Sequence, residues 1–194
     1  MHSIVIFASG KGSNAQAIID YFKTNGKARV ALIVSNRADA GVLDIANREQ
    51  IPFLIVDKHT IQEVLLVEQL QDYKPSLIVL AGFLWKVPDT ILQAFPHRVI
   101  NIHPALLPAF GGQGMYGRHV HNAVLAAGAT ESGISIHAVN EVYDSGDVLV
   151  QVRCLVEEGD TAETLAKRVH DLEHYYYPRT IEYLIDAYDK EAKR

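Results

Sequence analysis

Short runs rich in Val, Ile and Leu recur along the first half of the chain, each followed by a longer amphipathic stretch. The runs are Ser3–Ala8 ("SIVIFA"), Arg29–Ser35 ("RVALIVS"), Phe53–Val56, Leu77–Ala81 ("LIVLA") and Val99–His103. The helical stretches between them are Asn14–Phe22, Val42–Glu49, Ile61–Tyr73 and Asp89–Ala94. Strands that are apolar on both faces must be covered on both faces, and strands separated by helices run parallel. The rhythm predicts an α/β fold: an open, mostly parallel twisted sheet with helices on both faces and right-handed crossovers.

After His103 the rhythm changes. Pro104 and Pro108 bracket a turn, and "FGGQGMYG" (Phe110–Gly117) carries four glycines in eight residues, a loop of the kind that serves function at strand ends. His119–Ala127 reads as a helix, and Ser132–Val139 and Asp147–Cys154 as two strands joined by "NEVYDSG". Thr161, with Thr164 three residues on, reads as the N-cap of a long helix interrupted or ended near Pro178, and the tail "DKEAKR" reads as frayed. No repeat or linker divides the chain, so residues 1–194 are read as one domain.

The 194 residues are 48% hydrophobic, enough for a sizeable core, and carry a net charge of -5, which gives no electrostatic reason to expect a nucleic-acid partner. A small anion remains compatible, since backbone amides can hold one. The single cysteine, Cys154, excludes an internal disulfide and a cysteine-based zinc site and points to a reducing compartment. The opening "MHSIVIFASG" is apolar over too few residues for a signal peptide or a membrane span. The expectation is a soluble cytoplasmic protein with no membrane partner.

Ser9-Gly10-Lys11-Gly12-Ser13-Asn14 joins the first strand to the first helix. In an open parallel sheet, anions bind at the carboxyl ends of strands and the amino ends of helices. Glycines let backbone approach a phosphate, and Ser13 and Asn14 are expected to cap the helix and donate to the ligand. The loop lacks Walker A spacing, and it lacks the third glycine and the acidic residue of a dinucleotide fingerprint. It is read as a site for one phosphate, against the alternative of a tight turn that binds nothing.

"NIHPALLP" (Asn101–Pro108) places an amide and an imidazole two apart on a strand, hence on one face, where that face opens on the ligand crevice. Burying both is costly unless each has a partner. An amide donor stabilises a developing oxyanion, and an imidazole shuttles a proton near neutral pH. Asp144, in the "YDSGD" turn, is expected across the crevice, orienting the imidazole or a water. No serine or cysteine sits in a nucleophile elbow. His119, His121 and His137 are a poor metal set, since residues i and i+2 on a helix do not face one way; no metal is expected. Proton transfer with oxyanion stabilisation suits acyl transfer to an external nucleophile.

These stretches together resemble the glycinamide ribonucleotide transformylase (phosphoribosylglycinamide formyltransferase) family of folate-dependent formyltransferases. The resemblance covers nearly the whole chain and rests on "SGKGSN" (9–14), "VLAGF" (79–83), "NIHPALLP" (101–108), "SGISIHAV" (132–139), "YDSGD" (143–147) and "LEHYYYP" (172–178). It implies the Rossmann-like formyltransferase fold, with residues 1–100 as the phosphate-binding half and 101–194 as the catalytic and folate-binding half. Asn101, His103 and Asp144 match the catalytic trio, and Gly12, Ser13 and Asn14 the loop for the ribonucleotide phosphate. Leu84, Trp85, Lys86 and Val87 match the segment lining the pterin pocket. Asn140, Glu141, Val142, Tyr143 and Asp144 match the folate loop opposite, with Asn101 also on that side. Glu173 matches a glutamate contacting the ribose, although alone it reads as a solvated helix residue. His137 is expected to support the site.

The chain departs from the family at Ala105, where serine is usual, and at Trp85, whose bulk is expected to narrow the pterin pocket. Its Ala109–Arg118 loop is longer than in many members. The shortened segment "KHTIQEVL" (58–65) offers no match for the arginine that meets the folate tail.

The resemblance implies two small-molecule substrates, 10-formyltetrahydrofolate and glycinamide ribonucleotide, with no metal and a monomer or homodimer. Protonated His103 and Asn101 would hold the oxyanion, with Asp144 favouring the cation. A deformylase is expected to carry a domain before this one, and a methionyl-tRNA formyltransferase a domain after it. A non-catalytic nucleotide-binding module would use residues 9–14 and leave Asn101, His103 and Asp144 without a task.

Overall fold

The computed structural model describes residues 1–191. Seven strands form one sheet in the order β3-β2-β1-β4-β5-β6-β7. They are β1 (His2–Phe7), β2 (Ala28–Ser35), β3 (Phe53–Ile55), β4 (Leu77–Leu80), β5 (Val99–His103), β6 (Glu131–Ala138) and β7 (Val148–Leu155). The first five pair in parallel, and β6 and β7 add antiparallel. The helices are α1 (Ser13–Asn25), α2 (Gly41–Arg48), α3 (Val64–Asp72), α4 (Asp89–Ala94), α5 (Arg118–Ala126) and α6 (Ala162–Glu191). The pattern of apolar runs thus predicts the architecture and the parallel pairing.

Two cores follow from strands apolar on both faces. Ile4 and Ile6 of β1 point into one, with Ile18 and Phe22 of α1 and Val169, Tyr177 and Ile181 of α6. Val5 and Phe7 point into the other, with Leu66 and Leu70 of α3 and Ile91 of α4. The strand β3 departs from the expectation of full cover. It is short, lies at the edge of the sheet, and leaves Phe53 and Ile55 exposed.

The helix expected over Ile61–Tyr73 divides into a 3₁₀ turn (Thr60–Gln62) and α3. Asp57 Oδ1 accepts from the amides of His59 and Thr60 and forms a separate turn ahead of the helix. The long helix α6 begins as expected, with Thr161 Oγ1 accepting from the Thr164 amide at 3.3 Å. It does not break at Pro178. Arg179 Nη1 donates to the Tyr175 carbonyl and Thr180 Oγ1 to the Tyr176 carbonyl. Tyr177, Ile181 and Ile185 are buried on both sides of the proline. Packing and side-chain donors therefore outweigh the missing amide. Of the tail expected to fray, residues 189–191 are helical, and 192–194 lie outside the described residues.

Strand order reverses where β1 lies between β2 and β4. At such a switch point the loops leaving the two neighbouring strands diverge and open a crevice at their carboxyl ends. Here those loops are Ala8–Gly12 and Ala81–Val87.

Candidate active site

The crevice is a cavity of about 740 Å³, lined by the loops after β1, β4 and β5, the turn after β6, and faces of α5 and α6. The loop after β1 is held from both sides. The Ser9 amide donates to the Gly82 carbonyl at 3.1 Å, and Ser9 Oγ accepts from the Leu84 amide at 2.9 Å. Gly12 is the N-cap of α1, at φ 81, and a Cβ there would fall 2.8 Å from Val42. No side chain caps α1 and no acid occupies its first turn. Its leading amides therefore present partial positive charge to the cavity, which Gly12, Ser13 and Asn14 line. The expectation that Ser13 and Asn14 cap the helix is wrong. Both lie inside α1, and Asn14 Nδ2 donates instead to Glu173 Oε2 at 2.9 Å.

That bond corrects the solvated reading of Glu173, which is buried. Burial pushes its carboxyl above the usual carboxylate range, against the smaller opposing effects of the Asn14 hydrogen bond and the charge of His174.

Asn101 and His103 are on one face of β5, as the period-two spacing requires. Antiparallel pairing puts His137 of β6 directly beside Asn101. Asn101 Nδ2 and His137 Nε2 are 3.1 Å apart. Asp144 lies across them, with Oδ2 at 3.5 Å from His103 Nδ1 and Oδ1 at 3.6 Å from His137 Nε2. Asp144 has φ 52 and accepts from the Gly112 amide at 2.9 Å, which joins the glycine-rich loop to the turn after β6. Gly146 lets that turn press on β6, since a Cβ would lie 1.8 Å from the Ala138 carbonyl oxygen. The four side chains meet through strand pairing and two loops.

His103 Nε2 is 2.8 Å from the Phe110 carbonyl oxygen, so both ring nitrogens face acceptors. Burial nevertheless pushes the imidazole pKa below its ordinary value, outweighing the proton-favouring charge of Asp144 and the Phe110 carbonyl. Asp144 therefore favours the cation, in the expected direction, as the lesser effect. Burial raises the Asp144 pKa, but hydrogen bonding from His137, the charge of His103 and the Gly112 amide together hold it below the usual range.

Leu84, Trp85, Lys86 and Val87 line the opposite wall, where the Trp85 ring meets Phe83 edge-on at 6.4 Å. Asn140, Val142, Tyr143 and Asp144 also line the cavity. Glu141 does not; it borders a separate depression beside α4. Asn140 Oδ1 accepts from the Val142 amide and from Ser145 Oγ, so the Asn140 side chain turns into its own loop and Glu141 faces away. Among the described residues, no group of three or more His, Cys, Asp or Glu is placed to hold a metal ion.

Lys58 and His170 line the cavity without having been singled out in the sequence, and His121, noted there only as a metal-ligand candidate, lines it as well. His170 was within reach, because it precedes Glu173 by three residues on one helix and so shares its face. His121 lies in the helix expected over His119–Ala127, where the sequence offers it only as a poor metal ligand beside His119 and His137. Lys58 comes from a segment without a signal of its own.

Residues 2–181 match the family model described as formyl transferase. The chain is 36% identical to the phosphoribosylglycinamide formyltransferase of Bacillus subtilis (strain 168), over 100% of each chain. It is 43% identical to the chloroplastic phosphoribosylglycinamide formyltransferase of Arabidopsis thaliana, covering 92% of this chain and 63% of that one. The crystal structure of glycinamide ribonucleotide transformylase 1 from Symbiobacterium toebii superposes with a TM-score of 0.86 at 36% identity, over 96% of this chain and 89% of that one. With the family model spanning nearly every strand and helix around the crevice, this chain belongs to the formyl transferase family.

Proposed function

We propose that this protein transfers the formyl group of 10-formyltetrahydrofolate to the amine of glycinamide ribonucleotide, the formylation step of de novo purine synthesis. The observation that carries this reading is the convergence of Asn101, His103 and Asp144 in the same cavity as the uncapped amino end of α1. The relatives from B. subtilis and A. thaliana bear the name of this activity.

The amides at Gly12, Ser13 and Asn14 receive the substrate phosphate, and Glu173 the ribose. The apolar wall of Leu84, Trp85 and Val87, facing Val142 and Tyr143, receives the pterin. The substrate amine then meets the formyl carbon beside Asn101 and His103. As nitrogen attacks, the carbonyl oxygen gains charge, and the Asn101 amide donates to it together with the His103 Nε2–H, which exchanges the Phe110 carbonyl for the oxyanion while Nδ1 stays toward Asp144. The oxyanion raises the proton affinity of His103 and so offsets the burial that lowers it. Asp144 pairs with the resulting imidazolium. Through a water, Asp144 moves a proton from the attacking amine to the folate nitrogen, and the bond from that nitrogen to the formyl carbon breaks. His103 is buried and Asn101 half-buried, at a cost that is recovered when the oxyanion forms.

The test is turnover by the purified protein. The folate absorbance should change only when glycinamide ribonucleotide is present, and mass spectrometry should show the formylated ribonucleotide. A change without the ribonucleotide would mean hydrolysis of the formyl folate and would overturn the reading.

A further inference from the structure

Helix α5 sends its two histidines in different directions. His119 is exposed, with its ring edge-on to Tyr116, while His121 is 2% exposed and borders the cavity. Neither nitrogen of His121 has a hydrogen-bond partner among the described residues, and Nδ1 is sealed from solvent. A buried imidazole left unpaired at the wall of a binding cavity calls for a ligand group.

Which group follows from the ring's protonation and its place. Burial pushes the His121 pKa down to about 4, and charge on His170 or His103 would push the same way. The ring is therefore neutral at neutral pH, with one N–H and one lone pair. Buried donors without a partner are rarer than buried acceptors without one. The proton is accordingly assigned to Nε2, leaving the lone pair on the sealed Nδ1. His121 thus offers a donor. It shares the cavity wall with His170, which is on the face of Glu173 on α6, and with His103 at the reacting end, and both act on it electrostatically. In glycinamide ribonucleotide the group between ribose and amine is a secondary amide.

We propose that His121 is a substrate-binding residue whose Nε2–H donates to the amide carbonyl oxygen of glycinamide ribonucleotide, a role that rests on the function proposed above. The bond fixes the rotation of the glycyl arm and aims its amine at the formyl carbon. It also selects for an amide-bearing substrate, because a ligand without an acceptor there leaves the donor buried and unpaired.

Calorimetry with two probes tests this. Glycinamide ribonucleotide carries the amide; ribose 5-phosphate fills the phosphate and ribose positions without it. The variant His121→Phe should bind the first about 10–100-fold more weakly and the second within about twofold of the original. Gln places its amide near Nε2 and Asn near Nδ1, so His121→Gln should regain most of the lost affinity and His121→Asn should not. That contrast stands even if the Phe variant fails to fold. Unchanged affinity for glycinamide ribonucleotide in the Phe and Asn variants, or equal losses for both probes in folded variants, would overturn the role of His121. Failure of the unaltered protein to formylate glycinamide ribonucleotide would instead overturn the function on which it rests.

Discussion

Asn14 Nδ2 donates to Glu173 Oε2 at 2.9 Å, tying the first turn of α1 to α6 between residues 159 positions apart. The amino end of one helix is thereby tied to the buried carboxyl of another, so the residues proposed for the phosphate and the ribose are linked by a direct hydrogen bond. Because burial raises the Glu173 pKa, its protonated form favours the fold. Stability from this group is present below the ordinary carboxyl pKa and is lost as pH rises through the raised one. Glu173→Gln has no proton to lose. Its melting temperature relative to the unaltered protein should therefore rise between pH 5 and pH 8, while ribonucleotide affinity falls about tenfold. A melting difference independent of pH would show that Glu173 does not titrate in this window.

Gly12 and Gly10 are two residues apart and should respond differently to the same change. An alanine at Gly12 must adopt φ 81 and meets Val42 at 2.8 Å and Ile45 at 2.9 Å. It should cost about 1–3 kcal/mol of stability and weaken ribonucleotide binding, with formyl-folate binding nearly intact. At Gly10 nothing lies within 4 Å of the added carbon, and Gly10→Ala should hold stability within about 0.5 kcal/mol. Chemical denaturation and calorimetry on both ligands separate the two. Equal loss of both ligands in Gly12→Ala would indicate a distorted fold.

What the sequence made legible was whatever depends on local pattern. Alternating apolar runs and amphipathic stretches located the parallel sheet, and the spacing of Asn101 and His103 put them on one face. Two kinds of feature were hidden. Glu173 looks solvated because a lone carboxylate on a helix ordinarily faces water, and only the packing of α6 against α1 buries it. Lys58 carries no motif and His121 shows only a His-x-His spacing unsuited to a metal; both enter the cavity through the paths of their loop and helix. Pro178 reads as a stop because the sequence does not show that Arg179 and Thr180 take up neighbouring carbonyls.

Trp85 is the sole tryptophan, half-buried on the cavity wall. A folate analogue seated against it should change its fluorescence, with saturation at the calorimetric Kd, whereas ribose 5-phosphate should not. No change at saturating analogue would place the pterin elsewhere.

Asp144→Asn keeps the acceptor for the Gly112 amide and removes the charge. If Asp144 pairs with cationic His103 and relays the proton, kcat should fall by about 10²–10⁴ with substrate Kd little altered. The sign of the pH effect follows from the geometry. Asp144 raises the His103 pKa, so its neutralisation lowers that pKa further. The alkaline fall in kcat/KM, where His103 loses its proton, should move to lower pH. A variant with near-normal kcat and an unmoved profile would reduce Asp144 to a residue that holds the loop.

Asn101 and His103 are assigned to one oxyanion, so their losses should not add. Asn101→Ala alone should cost about 10²–10³ in kcat, the range for one oxyanion donor. His103→Ala should cost at least as much, because it removes a donor and an acid together. The double variant should be clearly less impaired than the product of the two. Stability offers the control. Asn101 pairs with His137, and His103 with Phe110 and Asp144, so a purely structural network would lose its melting temperature when either is cut. Groups placed for catalysis contribute little to folding, and the burial that lowers the His103 pKa marks that ring as one the fold does not stabilise in its charged form. Both single variants should therefore melt near the unaltered protein at neutral pH. A double-mutant cycle and thermal melts on the same four proteins check both halves. Early melting with retained kcat in both singles would make the pair a buried structural network.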